Sequence, residues 1–134
     1  MYISETQVRV RYSETDKMGY VYYGNYASYF EVGRVETLRN LGFSYKEMED
    51  TGIMLPVVSF TINYFKPAFY DDLLTIKTVI TALPTSKIMF DYETINSNNI
   101  VLNKAQTTLV FVDIKTGKPC RAPEYFMEKI KDYF

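Results

Sequence analysis

One helical run followed by four strand-like runs, with nothing helical between the strands, is the pattern that most constrains this chain. Between residues 24 and 41, Tyr26, Phe30, Gly33, Thr37 and Leu41 recur at steps of three and four, so a single helix buries one stripe. Gly33 in the middle of that stripe would cost a free helix about 1 kcal/mol against alanine. Its presence makes sense where the helix backbone lies close against a sheet. Gly42 then suits a C-terminal cap. Beyond it the polarity changes to the two-residue period of strands. Val58, Phe60, Ile62 and Tyr64 alternate with Ser59, Thr61 and Asn63. Leu74, Ile76, Thr78 and Ile80 line one face of the next strand, and Ile88, Phe90, Tyr92 and Thr94 belong to a third. Residues 100–112 form the longest strand. Pro67, Asp71-Asp72, Pro84-Thr85-Ser86 and Ser97-Asn98-Asn99 supply the bends and turns between them, and the turn at residues 115–118 ends the last.

The remaining segments fit around this frame. Residues 6–12 alternate as a half-buried strand, and Ser13 to Gly19 is a loop. Ser44 to Gly52 is a short helix followed by a loop. Pro123, at a first helical position, starts a C-terminal helix carrying Phe126, Met127 and Ile130. Strand, long helix, then antiparallel strands make an α+β layer architecture. A chain of 134 residues, 47% hydrophobic and 23% charged, suits one domain, 1–134, with a real core.

Composition excludes several chemistries. There is no histidine, so neither Ser-His-Asp nor Cys-His catalysis can be built from this chain, and histidine-ligated metal sites are excluded. The single cysteine, Cys120, forms no internal disulfide and no multi-cysteine zinc site. As a nucleophile it would have only Lys118 and Arg121 to lower its pKa, and it reads as an ordinary thiol. A net charge of -1 carries no nucleic-acid footprint. No apolar run approaches the roughly 20 residues that span a bilayer. Met1-Tyr2-Ile3-Ser4-Glu5 lacks the basic start and apolar stretch of a signal peptide, so a cytoplasmic protein without a transmembrane segment is expected. Carboxylates, tyrosines, lysines and backbone amides remain to do chemistry.

The segment between the first strand and the helix concentrates such groups. Asp16 stands in a short loop ahead of Gly19, and Tyr20, Tyr22, Tyr23 and Tyr26 lead into the helix, with Tyr29 a turn further on. A carboxylate facing a helix N-terminus can attack a carbonyl while the free N–H groups hold the developing oxyanion. The series Asp16-x-x-Gly19-x-Val21-Tyr22-Tyr23-x-Asn25-Tyr26, continuing into Tyr29-Phe30-Glu31-x-x-Arg34, resembles the hotdog-fold acyl-CoA thioesterases. The nearest groups are the 4-hydroxybenzoyl-CoA thioesterases and the Tol-Pal-associated, YbgC-type thioesterases.

That resemblance implies a curved antiparallel sheet wrapped around the helix of residues 24–41. It also implies hydrolysis of an acyl-CoA to a free acid and CoA, with no cofactor beyond the coenzyme A of the substrate. Asp16 is then the nucleophile or general base, and the backbone N–H groups at Tyr23 and Gly24 polarise the thioester carbonyl. Several relatives carry histidine where this chain has Tyr23, which leaves the backbone role intact. Tyr22, Asn25 and Tyr26 are expected around the substrate. Glu14 competes as the acid but is off the motif position. Glu31 either faces the cavity or pairs with Arg34. Lys87 and Arg121 fall near positions where related enzymes hold the phosphates of coenzyme A, with Lys118 a weaker candidate. A homodimer or homotetramer with a shared site is expected. Acyl carrier protein thioesters are the alternative substrate. A hydratase would need a histidine, and a non-catalytic acyl-binding module on the same scaffold is the reading from another class.

Overall fold

A computed structural model describes residues 1–134. In chain order the elements are β1 (Tyr2–Arg9), α1 (Tyr26–Asn40), α2 (Tyr45–Asp50), β2 (Ile53–Met54), β3 (Val57–Tyr64), β4 (Leu73–Ile80), β5 (Lys87–Ile95), β6 (Val101–Val110), β7 (Val112–Asp113) and α3 (Glu124–Ile130). Five strands form one antiparallel sheet in the order β1-β4-β5-β6-β3, and β2 and β7 pair as a separate two-stranded ribbon.

The expected alternation decides which side chains face the helix. Leu74, Ile76, Thr78 and Ile80 of β4 are buried beneath α1, as are Ile88, Phe90, Tyr92 and Thr94 of β5. Phe30 of α1 stacks on Tyr92, with ring centroids 4.6 Å apart. Gly33 has the role its position suggested. A Cβ built there would stand 2.7 Å from the Thr78 hydroxyl oxygen and 2.8 Å from Cγ2 of Ile76. The helix ends as its glycine predicts: Gly42 takes φ +91, its N–H reaches the Arg39 carbonyl at 2.9 Å, and the Phe43 N–H reaches that of Leu38 at 2.8 Å.

The helix does not cover the whole sheet. It packs on β1 and β4, stacks on β5 through Phe30, and meets the β3 edge through the ring pairs Phe30–Phe60 and Tyr26–Tyr64, leaving much of that edge open. On β3, Val57 is 44%, Val58 58% and Tyr64 48% exposed. An edge strand that is open and apolar is a template for pairing with another chain.

Three boundaries differ from the sequence reading. β1 begins at Tyr2 and ends at Arg9, because its inward positions Ser4 and Thr6 are polar and mask the period; Ser4 accepts a hydrogen bond from Asn40 Nδ2 at 2.9 Å. Past Arg9 the chain turns away, with Val10 bonded through N–H and C=O to Asp72 and Asp71. The long strand over 100–112 breaks at Phe111, whose N–H goes to the Ser86 carbonyl, and Val112–Asp113 join β2 instead. Pro123 caps α3 from one residue outside it.

Candidate active site

The loop before α1 closes on itself like a small hairpin. The Asp16 N–H donates to the Tyr20 carbonyl at 2.8 Å, and the Tyr22 N–H to the Glu14 carbonyl at 2.9 Å. Gly19, at φ +83, makes the turn and donates to the Asp16 carbonyl at 3.0 Å. The Val21 N–H binds the Ala68 carbonyl at 2.8 Å, which fastens the loop to the segment after β3.

Asp16 has two occupations here. Its Oδ1 accepts the N–H groups of Met18 at 2.9 Å and Tyr20 at 3.2 Å, an Asx-turn. Oδ2 has no protein donor. The residue lines a cavity of about 420 Å³ whose other walls include Tyr20, Tyr23, Tyr26, Tyr64 and Phe65. The cavity lies where the chain enters the helix. A single 3₁₀ turn, Tyr23–Asn25, leads directly into α1, and no side chain caps either start. The N–H groups of Tyr23 and Gly24 therefore have no acceptor within the chain. A Cβ at Gly24 would meet Cε2 of the exposed Tyr22 ring at 2.7 Å, so a side chain there would push that ring aside. An acid with a free oxygen, two open N–H donors and an apolar hollow thus adjoin one another.

The comparisons with known proteins bear on this same region. The thioesterase-like superfamily matches residues 10–130. The chain belongs to that superfamily. A putative acyl-CoA thioesterase of Bacillus subtilis, YneP, is 36% identical over 126 residues, covering 94% of this chain and 91% of the relative. The acyl-CoA thioester hydrolase YbgC of Escherichia coli is 34% identical over 124 residues, covering 92% of each. A DHNA-CoA thioesterase from Staphylococcus aureus superposes with a TM-score of 0.91 at 38% identity, over 99% of this chain and 89% of that one. The architecture, one antiparallel sheet with a helix packed against it, is the hotdog fold of these thioesterases.

Within this thioesterase-like chain the expected site residues separate into four sets. Asp16, Tyr23 and Tyr26 share the cavity. Burial, with Tyr64 adding to it, pushes the Tyr26 phenol up to about 12, so it stays protonated. Asn25 and Tyr22 work on the loop. Asn25 Nδ2 donates to the Glu14 carbonyl at 2.8 Å, and the Tyr22 ring lies against Tyr23, centroids 4.7 Å apart. Glu31 is exposed on α1 and forms no ion pair with Arg34. Arg34 lies near Tyr45 and Tyr92, but its Nε and the Tyr45 hydroxyl are buried without a hydrogen-bond partner.

Lys87 and Arg121 stand elsewhere. Lys87 opens β5 opposite Val110. Arg121 lines a second hollow of about 360 Å³ with Leu83 to Ser86, Ala122 and Met127. Val57, Leu109 and Ile88 lie in register at this end of the sheet, whereas Tyr64, Asn103 and Thr94 lie in register at the end nearer Asp16. The step from Tyr64 to Val57 along an extended strand is roughly 23 Å. In a single chain the acid and the two cations are at opposite ends.

The sequence reading missed the wall formed by Tyr64, Phe65, Lys66 and Pro67. The one local sign was Pro67, three residues past the end of β3.

Proposed function

We propose that this chain hydrolyses an acyl-CoA thioester to a free carboxylic acid and CoA, with Asp16 as the reacting acid. What carries the reading is the meeting of the free Asp16 Oδ2 with the uncapped helix start in one apolar hollow. The thioester carbon sits before Asp16 and its oxygen points at the N–H groups of Tyr23 and Gly24. Acting as base, Asp16 takes a proton from water as the new C–O bond forms, and the C–S bond then breaks as the thiolate leaves with its electron pair. Acting as nucleophile, it expels the thiolate as an acyl anhydride forms on Asp16, and water then opens the anhydride to the free acid and the regenerated Asp16 carboxylate. In both routes the N–H pair supports the tetrahedral oxyanion, a contribution of about 3–4 kcal/mol per donor in comparable sites. The thiolate needs no strong acid to leave, which suits a chain without histidine. The acid and the donors come from the protein itself, so the reaction draws on no cofactor beyond the coenzyme A of the substrate.

The working unit is a homodimer. Pairing the bare β3 edges of two chains antiparallel about a twofold axis covers Val58 and Tyr64, and it turns the far end of one sheet toward the near end of the other. The partner's Lys87 and the partner's Arg121 then hold the coenzyme A phosphates at a site whose acid is Asp16 of the first chain. The setting is the cytoplasm, where the one thiol, Cys120, stays reduced.

Thiol release from a panel of short, long and aromatic acyl-CoAs, beside acyl carrier protein thioesters, tests the activity. Hydrolysis of acyl-CoAs is expected, and release from none of them would overturn it. Capture of an acylated Asp16 by rapid quench, or label in Asp16 after a single turnover in isotope-labelled water, identifies the nucleophilic route.

A further inference from the structure

Glu14 neither lines the cavity nor has a free oxygen, yet it is the most heavily bonded residue of the loop. Its Oε1 accepts the Tyr29 hydroxyl at 3.0 Å and the Arg11 N–H at 2.8 Å. Its Oε2 faces the Arg11 guanidinium at 3.5 Å, with the Glu14 side chain only 14% exposed. Its backbone carbonyl accepts the Tyr22 N–H at 2.9 Å and the Asn25 side-chain amide at 2.8 Å. Three of these donors, Tyr22, Asn25 and Tyr29, belong to the helix start, whereas Arg11 is on the strand side. Glu14 lies two residues before Asp16. Asn25, which occupies the N-cap position of α1, spends its side chain on this carbonyl and makes no cap bond to the helix.

We propose that Glu14 is the positioning residue of the site, the clamp that fixes the Asp16 carboxylate relative to the open N–H groups of Tyr23 and Gly24. The proposal rests on the thioester hydrolysis proposed above. The side-chain half of the clamp is the Glu14–Tyr29 pair, and it is placed to last. Tyr29 is buried, and burial followed by the Glu14 hydrogen bond raises its phenol well above the usual range, so it remains a donor. A displacement of about 1 Å between acid and oxyanion donors is enough to cost about a hundredfold in rate.

The test compares Glu14→Ala, Glu14→Gln and Tyr29→Phe by steady-state kinetics and by amide hydrogen exchange. Glu14→Ala is expected to lower kcat about tenfold to a hundredfold with KM changed less than about threefold. Glu14→Gln keeps an acceptor oxygen for Tyr29 and for Arg11, loses only an exposed ion pair, and should return kcat to within about threefold of the parent. Tyr29→Phe should be intermediate, and its effect should not multiply with that of Glu14→Ala, because both remove the Glu14–Tyr29 bond. In Glu14→Ala the amides of Asp16, Tyr20 and Tyr22 should exchange faster while those of α1 stay protected. Full kcat in Glu14→Ala, or an equal loss in Glu14→Gln, overturns the proposal, as does faster exchange spread over α1. If the parent protein hydrolyses no thioester, the functional reading fails, and the exchange pattern alone still decides whether Glu14 is the clamp.

Discussion

Gly33 of α1 and Thr78 of β4 are in contact so close that the pair leaves no room for a methyl group: a Cβ on Gly33 would lie 2.7 Å from the Thr78 hydroxyl oxygen. Replacing Gly33 by alanine adds about 1 kcal/mol of helix propensity. It also drives a carbon into Thr78 and Ile76, two β-branched side chains on a central strand that have little freedom to move. Overpacking of this kind costs about 1–3 kcal/mol and more where the neighbours are stiff. The sum is a variant less stable by about 1–2 kcal/mol, read as a lower urea midpoint. A midpoint at or above that of the parent would show that helix and sheet can separate at no cost.

Asp16→Asn isolates the chemistry from the architecture. An asparagine keeps the oxygen that accepts from Met18 and Tyr20, so the turn survives. The variant should fold and associate normally and lose about a hundredfold or more in kcat. Asp16→Ala should add a loss of loop order. Glu31→Gln is the control and should change kcat by less than about threefold, since Glu31 is exposed on the helix and does not line the cavity. Collapse of turnover in Glu31→Gln with Asp16→Asn still active would reverse the two roles.

Separation of the acid from Lys87 and Arg121 within one chain leads to a complementation experiment. Arg121→Ala and Lys87→Ala alone should raise KM for acyl-CoA, and leave a small thioester lacking the nucleotide unaffected. Mixing Asp16→Asn with Arg121→Ala chains, with exchange of subunits, should restore activity at low substrate. One of the two sites in each mixed dimer then has both groups intact. If mixtures show only the average of the two variants, the site lies within one chain. Val58→Lys, which places a charge on the bare β3 edge, should weaken association in sedimentation experiments and lower activity with it.

Buried phenols set an alkaline limit, Tyr26 and Tyr45 among them. Burial raises both Tyr26 and Tyr45 to about 12 from 10.0, with the Arg34 cation partly opposing the rise at Tyr45. Both must stay protonated in the fold, whereas in the unfolded chain they ionise near their ordinary value. The stability is therefore fully present below pH 10.0 and is lost as the pH climbs toward about 12, on the order of 2 kcal/mol for each group. Tyr45→Phe should flatten part of that slope in melts followed against pH. An unchanged slope would assign the alkaline loss to other groups.

Regular elements in a uniform environment could be read from the sequence, and irregular or distant ones could not. The α1 stripe and strands β4 and β5 each bury one continuous face, so period alone located them within a residue or two. β1 was placed too late because Ser4 and Thr6 point inward among apolar neighbours. β2 and β7 are two residues each and carry no period at all. The motif around Asp16 marked the acid and the helix start correctly as neighbours, since both belong to one stretch of chain. The wall from Tyr64 to Pro67 comes from another stretch, and only the tertiary fold brings it there. Asn25 shows the same limit on a smaller scale: its type suits a helix cap, but Glu14 takes its side chain.

Asp16 Oδ1 is fastened to two backbone amides, so the carboxylate cannot spin about its own axis. A planar thioester has two faces, and a freely turning acid could approach either. In the reaction proposed for Asp16, a pinned carboxylate would offer a single lone oxygen from a single direction, and the addition would be facially selective although the product has no stereocentre to record it. Glutamate at this position would pay for its extra methylene by giving up either the turn or the direction, and its longer side chain would make the approach ambiguous again.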